Sequence, residues 1–260
     1  MFRLGPRTEI SAVFLLAPAL LPAAAFTTKL QKQTILAWDR YIAHFEHSDL
    51  ESEPLQPGGE EPVLTDLNPD GRGIDGEVPG GYIHHWRGVV RLSATRLDRI
   101  VAVLEDYADW REIYSPDVKL ASAIPTAVEG GRGYDLRLVS EQIDGLLHFA
   151  FDAHFHVRFR RLGDWTLIDS RSYDIRESNS GHAPFTDLLP EGNDHGIAWR
   201  INTYWRLREI DGAAYAECQV ITLSRKPLFG TTGHIKGRAR ESLRATMVHT
   251  RNRAMALEQR

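Results

Sequence analysis

The chain has a single cysteine, Cys218, in 260 residues, so no internal disulfide braces it and its stability must come from an ordinary core. An excess of charge of one sign is also lacking: 31 Lys and Arg stand against 35 Asp and Glu, a formal net charge of −4. With no overall basic field to hold a polyanion, nucleic-acid binding is disfavoured. After residue 25 no apolar run approaches the roughly 20 residues that a spanning helix needs. Catalytic signatures are missing as well. There is no Gly-x-Ser-x-Gly elbow and no His-Glu-x-x-His helix, and Gly130-Gly131-Arg132-Gly133 lacks the Lys-Ser/Thr ending of a phosphate loop. What remains, at 42% hydrophobic and 25% charged residues, is the composition of a globular domain with one sizeable core.

The first 25 residues read as a cleavable signal peptide. Arg3 and Arg7 precede an apolar stretch from Ile10 to about Leu21, and Ala23-Ala24-Ala25 supplies small residues for cleavage after Ala25. Pro18 and Pro22 interrupt the stretch, which is short for a membrane anchor. The expected location is therefore outside the cytoplasm, periplasmic or secreted.

Residues 26–81 read as an N-terminal helix followed by an acidic arm. Leu30, Thr34, Trp38, Ile42 and Phe45 recur at helical spacing to about His47. From Ser48 to Gly81 the chain turns acidic and rich in Pro and Gly, as in a long irregular connection. Within it, Asp66, Asn68, Asp70, Gly71 and Glu77 match the calcium-loop template. Its flanks carry Pro62 and Pro79-Gly80-Gly81 where an EF-hand has helices, so an acidic turn stands beside weak calcium binding as a reading; no other cofactor is expected.

Residues 82–260 carry the main domain. Tyr82–Leu92 reads as a strand and Thr95–Tyr107 as a helix with a stripe of Leu97, Ile100, Val101 and Leu104. Period-two patterning then marks strands near Val118–Ile124, Tyr134–Ile143, Leu146–Arg161, Thr166–Ile175, Ile197–Ile210 and Ala213–Ser224, the last two joined by an Asp211-Gly212 hairpin. In Leu146–Arg161 the phase of Phe149, Phe151, Ala153, Phe155, Val157 and Phe159 points to the core. His148, Asp152, His154, His156, Arg158 and Arg160 share the wet face, so His154 and His156 read as solvated rather than metal-bound. A helix from about His234 to Leu257 closes the chain, with Ile235, Ala239, Leu243, Thr246 or Met247, Thr250 and Ala254 on its apolar side. The fold class is α+β: an antiparallel sheet of about seven strands with a long C-terminal helix.

Small inward residues on the last strand, Ala214, Ala216, Cys218, Val220 and Thr222, face the larger Phe149, Phe151 and Phe155, which leaves room for a cavity unless the final helix fills it. Tyr134, Trp199 and Trp205 are candidate lining residues, the two tryptophans sharing a phase. The facing of the Asp169–Tyr173 strand is open, because both of its phases are polar. An inward Arg171, with Tyr173, would meet a ligand's polar head; an outward one would sit on a solvated face. Arginines and lysines of the final helix region suit either an anionic membrane surface or the chain's own acidic arm. Asn193-Asp194-His195 and Glu217 have acid–base potential, with turn and capping bonds as their commoner use.

Gly80-Gly81-Tyr82-Ile83-His84-His85-Trp86, Tyr114-Ser115-Pro116-Asp117-Val118, Gly192-Asn193-Asp194-His195-Gly196 and Trp199-Arg200-Ile201-Asn202-Thr203-Tyr204-Trp205-Arg206 resemble a secreted bacterial group within the START-like (SRPBCC, polyketide cyclase) superfamily, over about Tyr82 to Leu257. The resemblance implies the helix-grip fold, a curved sheet wrapped around the C-terminal helix with a cavity for lipids, sterols or aromatic compounds. It also implies non-enzymatic carriage of an apolar small molecule or lipid. A cyclase- or hydrolase-like enzyme in the same cavity and an interaction module with a filled core are the alternatives; Tyr134, Phe149, Phe151, Arg171, Tyr173, Trp199, Trp205 and Ala216 are the expected ligand-binding set.

Overall fold

A computed structural model of the protein describes residues 28–48, 59–93, 95–144, 147–181, 187–227 and 232–258. The segment expected to be a signal peptide lies outside them. Among the described residues no helix is long and apolar enough to cross a membrane.

The chain opens with β1 (Thr28–Lys29) and α1 (Lys32–Ser48), then β2 (Val63–Asp66), β3 (Gly81–Leu92), α2 (Leu97–Glu105) and the single turn α3 (Trp110–Ile113). Four long strands follow: β4 (Val118–Thr126), β5 (Gly131–Asp144), β6 (Leu147–Leu162) and β7 (Trp165–Glu177). After β8 (Asn193–Asp194) come β9 (Arg200–Ile210), β10 (Ala213–Arg225) and the 27-residue α4 (Thr232–Glu258). One antiparallel sheet of eight strands runs β2-β3-β10-β9-β7-β6-β5-β4, and β1 pairs with β8. An antiparallel sheet gripping a long C-terminal helix is the helix-grip architecture. The β9–β10 turn has positive φ at both Asp211 (51°) and Gly212 (74°), the combination that matches the twist of a two-residue hairpin.

The sheet has eight strands rather than about seven because β2 forms inside the stretch read as an irregular connection. It is only four residues long, pairing Val63 with Val89 and Asp66 with Trp86, too short to show a period in sequence.

Alternation along the strands splits the molecule into two cores. On the inner face, Phe149, Phe151, Ala153, Phe155, Val157 and Phe159 of β6 join Ala214, Ala216, Cys218 and Val220 of β10 and Ala239, Leu243, Met247 and Ala254 of α4 in one buried cluster. The small residues of β10 are therefore buried in the same cluster as the helix. Gly88 admits α4 to β3: a Cβ there would lie 2.3 Å from Met247 Sδ and 2.9 Å from Leu64. On the outer face, α1 docks through Ala37, Trp38, Ile42 and Phe45 onto Ile83, Tyr204, Ile221 and Leu223. Fully burying each large side chain of that set contributes about 1.5–3 kcal/mol before ordering costs.

The outer face also buries charge. Arg206 and Glu217, with side chains 4% and 1% exposed, form a bidentate pair, and Gln219 links Glu217 to His85 and Tyr41 of α1. Tyr204 donates to Glu46 of α1, whose carboxylate also pairs with Arg171. These bonds fix where α1 sits as well as holding it.

Candidate functional site

One apolar cavity lies within the inner core, and its walls are built from six elements and the turn between α2 and α3. Leu104, Tyr107 and Trp110 hang from α2, α3 and the turn between them; Leu136 and Leu138 rise from β5; Phe155 and Val157 from β6; Ile168 and Ser170 from β7; Thr203 and Trp205 from β9. Every strand contributes alternate residues, as inward side chains must. The cavity measures about 30 Å³, room for about one water-sized group. Two buried donors of its lining residues, the Tyr107 hydroxyl and Trp205 Nε1, have no hydrogen-bond partner among the described residues. Of the lining side chains the one acidic group is the Tyr107 phenol, and burial raises its pKa, so it remains a neutral donor.

The residues expected to bind ligand divide between the two faces. Trp205 lines the cavity, and Phe149, Phe151 and Ala216 lie in the inner core without lining it. Tyr134 is half-buried beside that core, with ring contacts to Tyr107 at 5.3 Å and Phe159 at 5.9 Å.

Trp199 is a correction: it packs in the outer cluster with α1, and its Nε1 donates to Asp194 Oδ1 at 2.9 Å. The regular ladder of β9 begins at Arg200, so the inward phase of Ile201 and Trp205 does not extend back to it; Ile197 and Ala198 take inner positions instead. Arg171 and Tyr173 are corrected likewise. Arg171 pairs with Glu46 and Asp169 on the outer face, while Tyr173 is 43% exposed and stacks on His156 at 4.3 Å. His154 pairs with Asp174 but Phe155 with Ser172, which makes Tyr173 the extra residue of a β-bulge. The bulge breaks alternation, which is why neither phase of this strand reads cleanly in sequence.

The remaining polar candidates have structural partners. Asp194 accepts from the Gly192 and Gly196 N–H groups, and burial, then the nearby Glu177, pushes its carboxyl up to about 7. Glu177 accepts from the N–H groups of His195 and Ile197 and approaches His195 Nδ1 at 3.2 Å. Together these bonds shape the loop before β9, and none of the three side chains lines the cavity.

The calcium-template residues do not converge: Asp66 pairs with Lys236, Glu77 with Lys226, and the Asn68 amide donates to the Arg72 and Ile83 carbonyls. Among the described residues no group of three or more His, Cys, Asp or Glu is placed to hold a metal. Arginines of α4 meet the acidic arm, Arg251 bonding the Glu60 carbonyl and both Arg244 and Arg251 approaching Glu61.

Sequence reasoning placed the cavity against β10 and so missed Leu104, Tyr107 and Trp110. For Leu104 the signal was present in the α2 stripe, which has to cover something; Tyr107 and Trp110 lie beyond that stripe, in the turn and in α3.

No family model matches the chain, and no curated protein matches it. By structure it is similar to human STARD10 (TM-score 0.49, 10% identity, 92% of this chain and 86% of that one). It is also similar to the lipid transfer and protein localization domain of human StarD13 (TM-score 0.47, 14% identity, 86% and 98%). The di-domain aromatase/cyclase StfQ of the steffimycin pathway is a third (TM-score 0.43, 12% identity, 68% and 53%), of which the chain spans about half. At such identities the likeness is one of fold alone.

Proposed function

We propose that the protein binds, without catalysis, a small apolar molecule bearing a hydrogen-bond-accepting oxygen, in the cavity between α2–α3 and strands β5, β6, β7 and β9. The observation that carries this reading is the pair of buried, unpartnered donors, Tyr107 Oη and Trp205 Nε1, on a wall that is apolar apart from Ser170 and Thr203. A buried donor without a partner costs about 1–3 kcal/mol. A carbonyl or ether oxygen between them recovers that energy, and the aliphatic and aromatic walls take the rest of the molecule. Binding rather than turnover fits a lining with no carboxylate, imidazole or thiol.

Because the cavity measures about 30 Å³ and sites for drug-sized ligands run to roughly 300–1,000 Å³, binding requires α2 and α3 to move outward. The single-turn α3, with turns on either side, is the part of the wall with the least regular hydrogen bonding to lose.

Decanone, an alkyl ketone, tests this by titration followed through tryptophan fluorescence, since Trp110 and Trp205 line the site. Micromolar binding that is lost when Ser170→Leu fills the cavity, with the fold intact by circular dichroism, is the expected result. Absence of binding, or equal binding by Ser170→Leu, contradicts the proposal. The site of action outside the cytoplasm rests on residues 1–25 being removed, for which N-terminal sequencing of exported protein should read Phe26 first.

A further inference from the structure

Beyond the cavity, toward the N-terminal end of α2, lies an open groove of about 470 Å³. Its floor is Leu97, Val101 and Phe159, and it carries four arginines, Arg96, Arg132, Arg160 and Arg161, against two carboxylates, Asp98 and Glu209. Groove and cavity share their walls. On β6, Phe155 and Val157 line the cavity while Phe159 and Arg161 line the groove; on α2, Leu104 lines the cavity while Val101 and Leu97 line the groove. These are successive positions on one inward phase and one helix stripe, so the two spaces lie in a line. Between them stand Tyr107, Tyr134 and Phe159 in consecutive ring contact.

The Tyr134 hydroxyl donates to Glu105 Oε1 at 2.5 Å, and Arg132 forks onto the same carboxylate at 2.7 and 2.9 Å. Arg132 also lies 5.3 Å over the Phe159 ring. Arg161, on the exposed rim, donates to the neutral Thr166 hydroxyl.

We propose that this groove is the headgroup end of the ligand site, and that the ligand is an amphiphile with an anionic head, a carboxylate or phosphate, whose apolar tail passes the aromatic partition into the cavity. The inference rests on the cavity reading and names its ligand class: the head lies in the groove, and an oxygen partway along the tail is what meets Tyr107 and Trp205. Arg96, Arg132 and Arg160 are paired with Asp98, Glu105 and Asp169, whereas Arg161 has a neutral hydroxyl as its partner; Arg161 and the exchangeable Arg132 fork are therefore what select a planar or tetrahedral oxyanion. The apolar floor excludes a purely hydrophilic anion as the best ligand. Val157 and Arg161 are four strand residues apart, about 13 Å at the usual rise per residue, which sets the distance from tail to head. Recognition is coupled to access: an oxyanion that takes Arg132 competes with Glu105, and a Glu105 side chain drawn away no longer holds Tyr134 across the path.

The test is a comparison of decanoate with methyl decanoate, its uncharged ester, on the mature full-length protein, with acetate as an anion lacking a tail. Decanoate should bind at least roughly tenfold more tightly than the ester. The double variant Arg132→Gln/Arg161→Gln should bring decanoate down to the level of the ester while leaving the ester unchanged. Arg161→Gln alone, on the exposed rim, provides a variant with no bearing on folding and should lose part of the same preference.

Equal binding of acid and ester by the wild type overturns the headgroup assignment while leaving the cavity reading in place. Arginine-dependent binding of acetate as strong as that of decanoate also overturns it, since the groove is then a simple anion site. If neither acid nor ester binds while decanone does, the headgroup assignment alone fails; if decanone does not bind either, the cavity reading fails with it.

Discussion

The two faces of the sheet are held by different chemistry, although each is covered by a helix. Under α4 the contacts are aromatic and aliphatic, with polar groups satisfied in isolated pairs such as Tyr114 with Thr250. Under α1 the apolar patch of Trp38 and Phe45 is ringed by linked ion pairs. Arg158 and Arg160 bind Asp169, Arg171 joins Asp169 to Glu46, and Gln219 joins the Arg206–Glu217 pair to His85. An apolar face tolerates a void because no single contact in it is directional. A face built on buried charge does not, since each ion needs its partner in place. The cavity, its unpartnered donors and the charged groove beside it accordingly belong to the inner face, and the outer face fixes the N-terminal helix.

The sharpest way to break this comparison is on the outer face. Glu217→Leu strands the buried Arg206 and should cost about 3–5 kcal/mol by denaturant titration, while Glu217→Leu/Arg206→Leu should recover most of that loss. If the double variant is no better than the single, the pair stabilises α1 docking in a way that hydrophobic replacement cannot copy. On the inner face the equivalent insult is steric. Gly88→Ala places a methyl against Met247 and Leu64, and should lower stability by about 1–3 kcal/mol; an unchanged melting temperature would show that α4 is not close-packed there.

The pH response separates the faces further. Burial, helped by Lys236, holds the inner-face His84 down at about 3 from its ordinary 6.5. The unfolded chain takes up that proton first, so the stability contributed by neutral His84 is complete above 6.5 and is lost as pH falls toward 3. Asp194, bonded to the outer-face Trp199, has the opposite sign: with its pKa raised from 3.8 to about 7, it contributes stability below 3.8 that is lost as pH rises through 7. Denaturant titrations across this range should therefore lose one slope in His84→Gln and the other in Asp194→Asn. The smallest effect expected is that of Arg171→Ala. Its side chain is 36% exposed, so the change should be within about 1 kcal/mol, with decanone affinity unaltered; a loss of affinity would return this residue to the ligand site.

Most elements were legible in sequence because their periods are long and clean. β6 alternates over its whole length, and the Asp211-Gly212 hairpin and the stripe of α4 carry their own signals. The short β2 was not legible, since four residues show no period. The site was legible only in part. Trp205 followed from strand phase, but Trp199 was misplaced and the facing of Tyr173 stayed open, because a strand end and a β-bulge interrupt alternation, and sequence marks neither. The space expected beside the small residues of β10 is not where the cavity lies: Ala214, Ala216 and Cys218 are buried in one cluster with α4 residues and none of them lines the void, which lies under α2.

The central claim is that the cavity under α2 takes a ligand oxygen between Tyr107 and Trp205, and the most direct measurement is tryptophan quenching by a bromine-bearing alkyl ketone. Trp110 and Trp205 line the cavity, whereas Trp38 and Trp199 lie under α1. Saturable quenching in the wild type that disappears in Trp110→Phe/Trp205→Phe, with the remaining tryptophans unquenched, is the predicted result. Quenching that persists in that variant, or none in the wild type, would contradict the account.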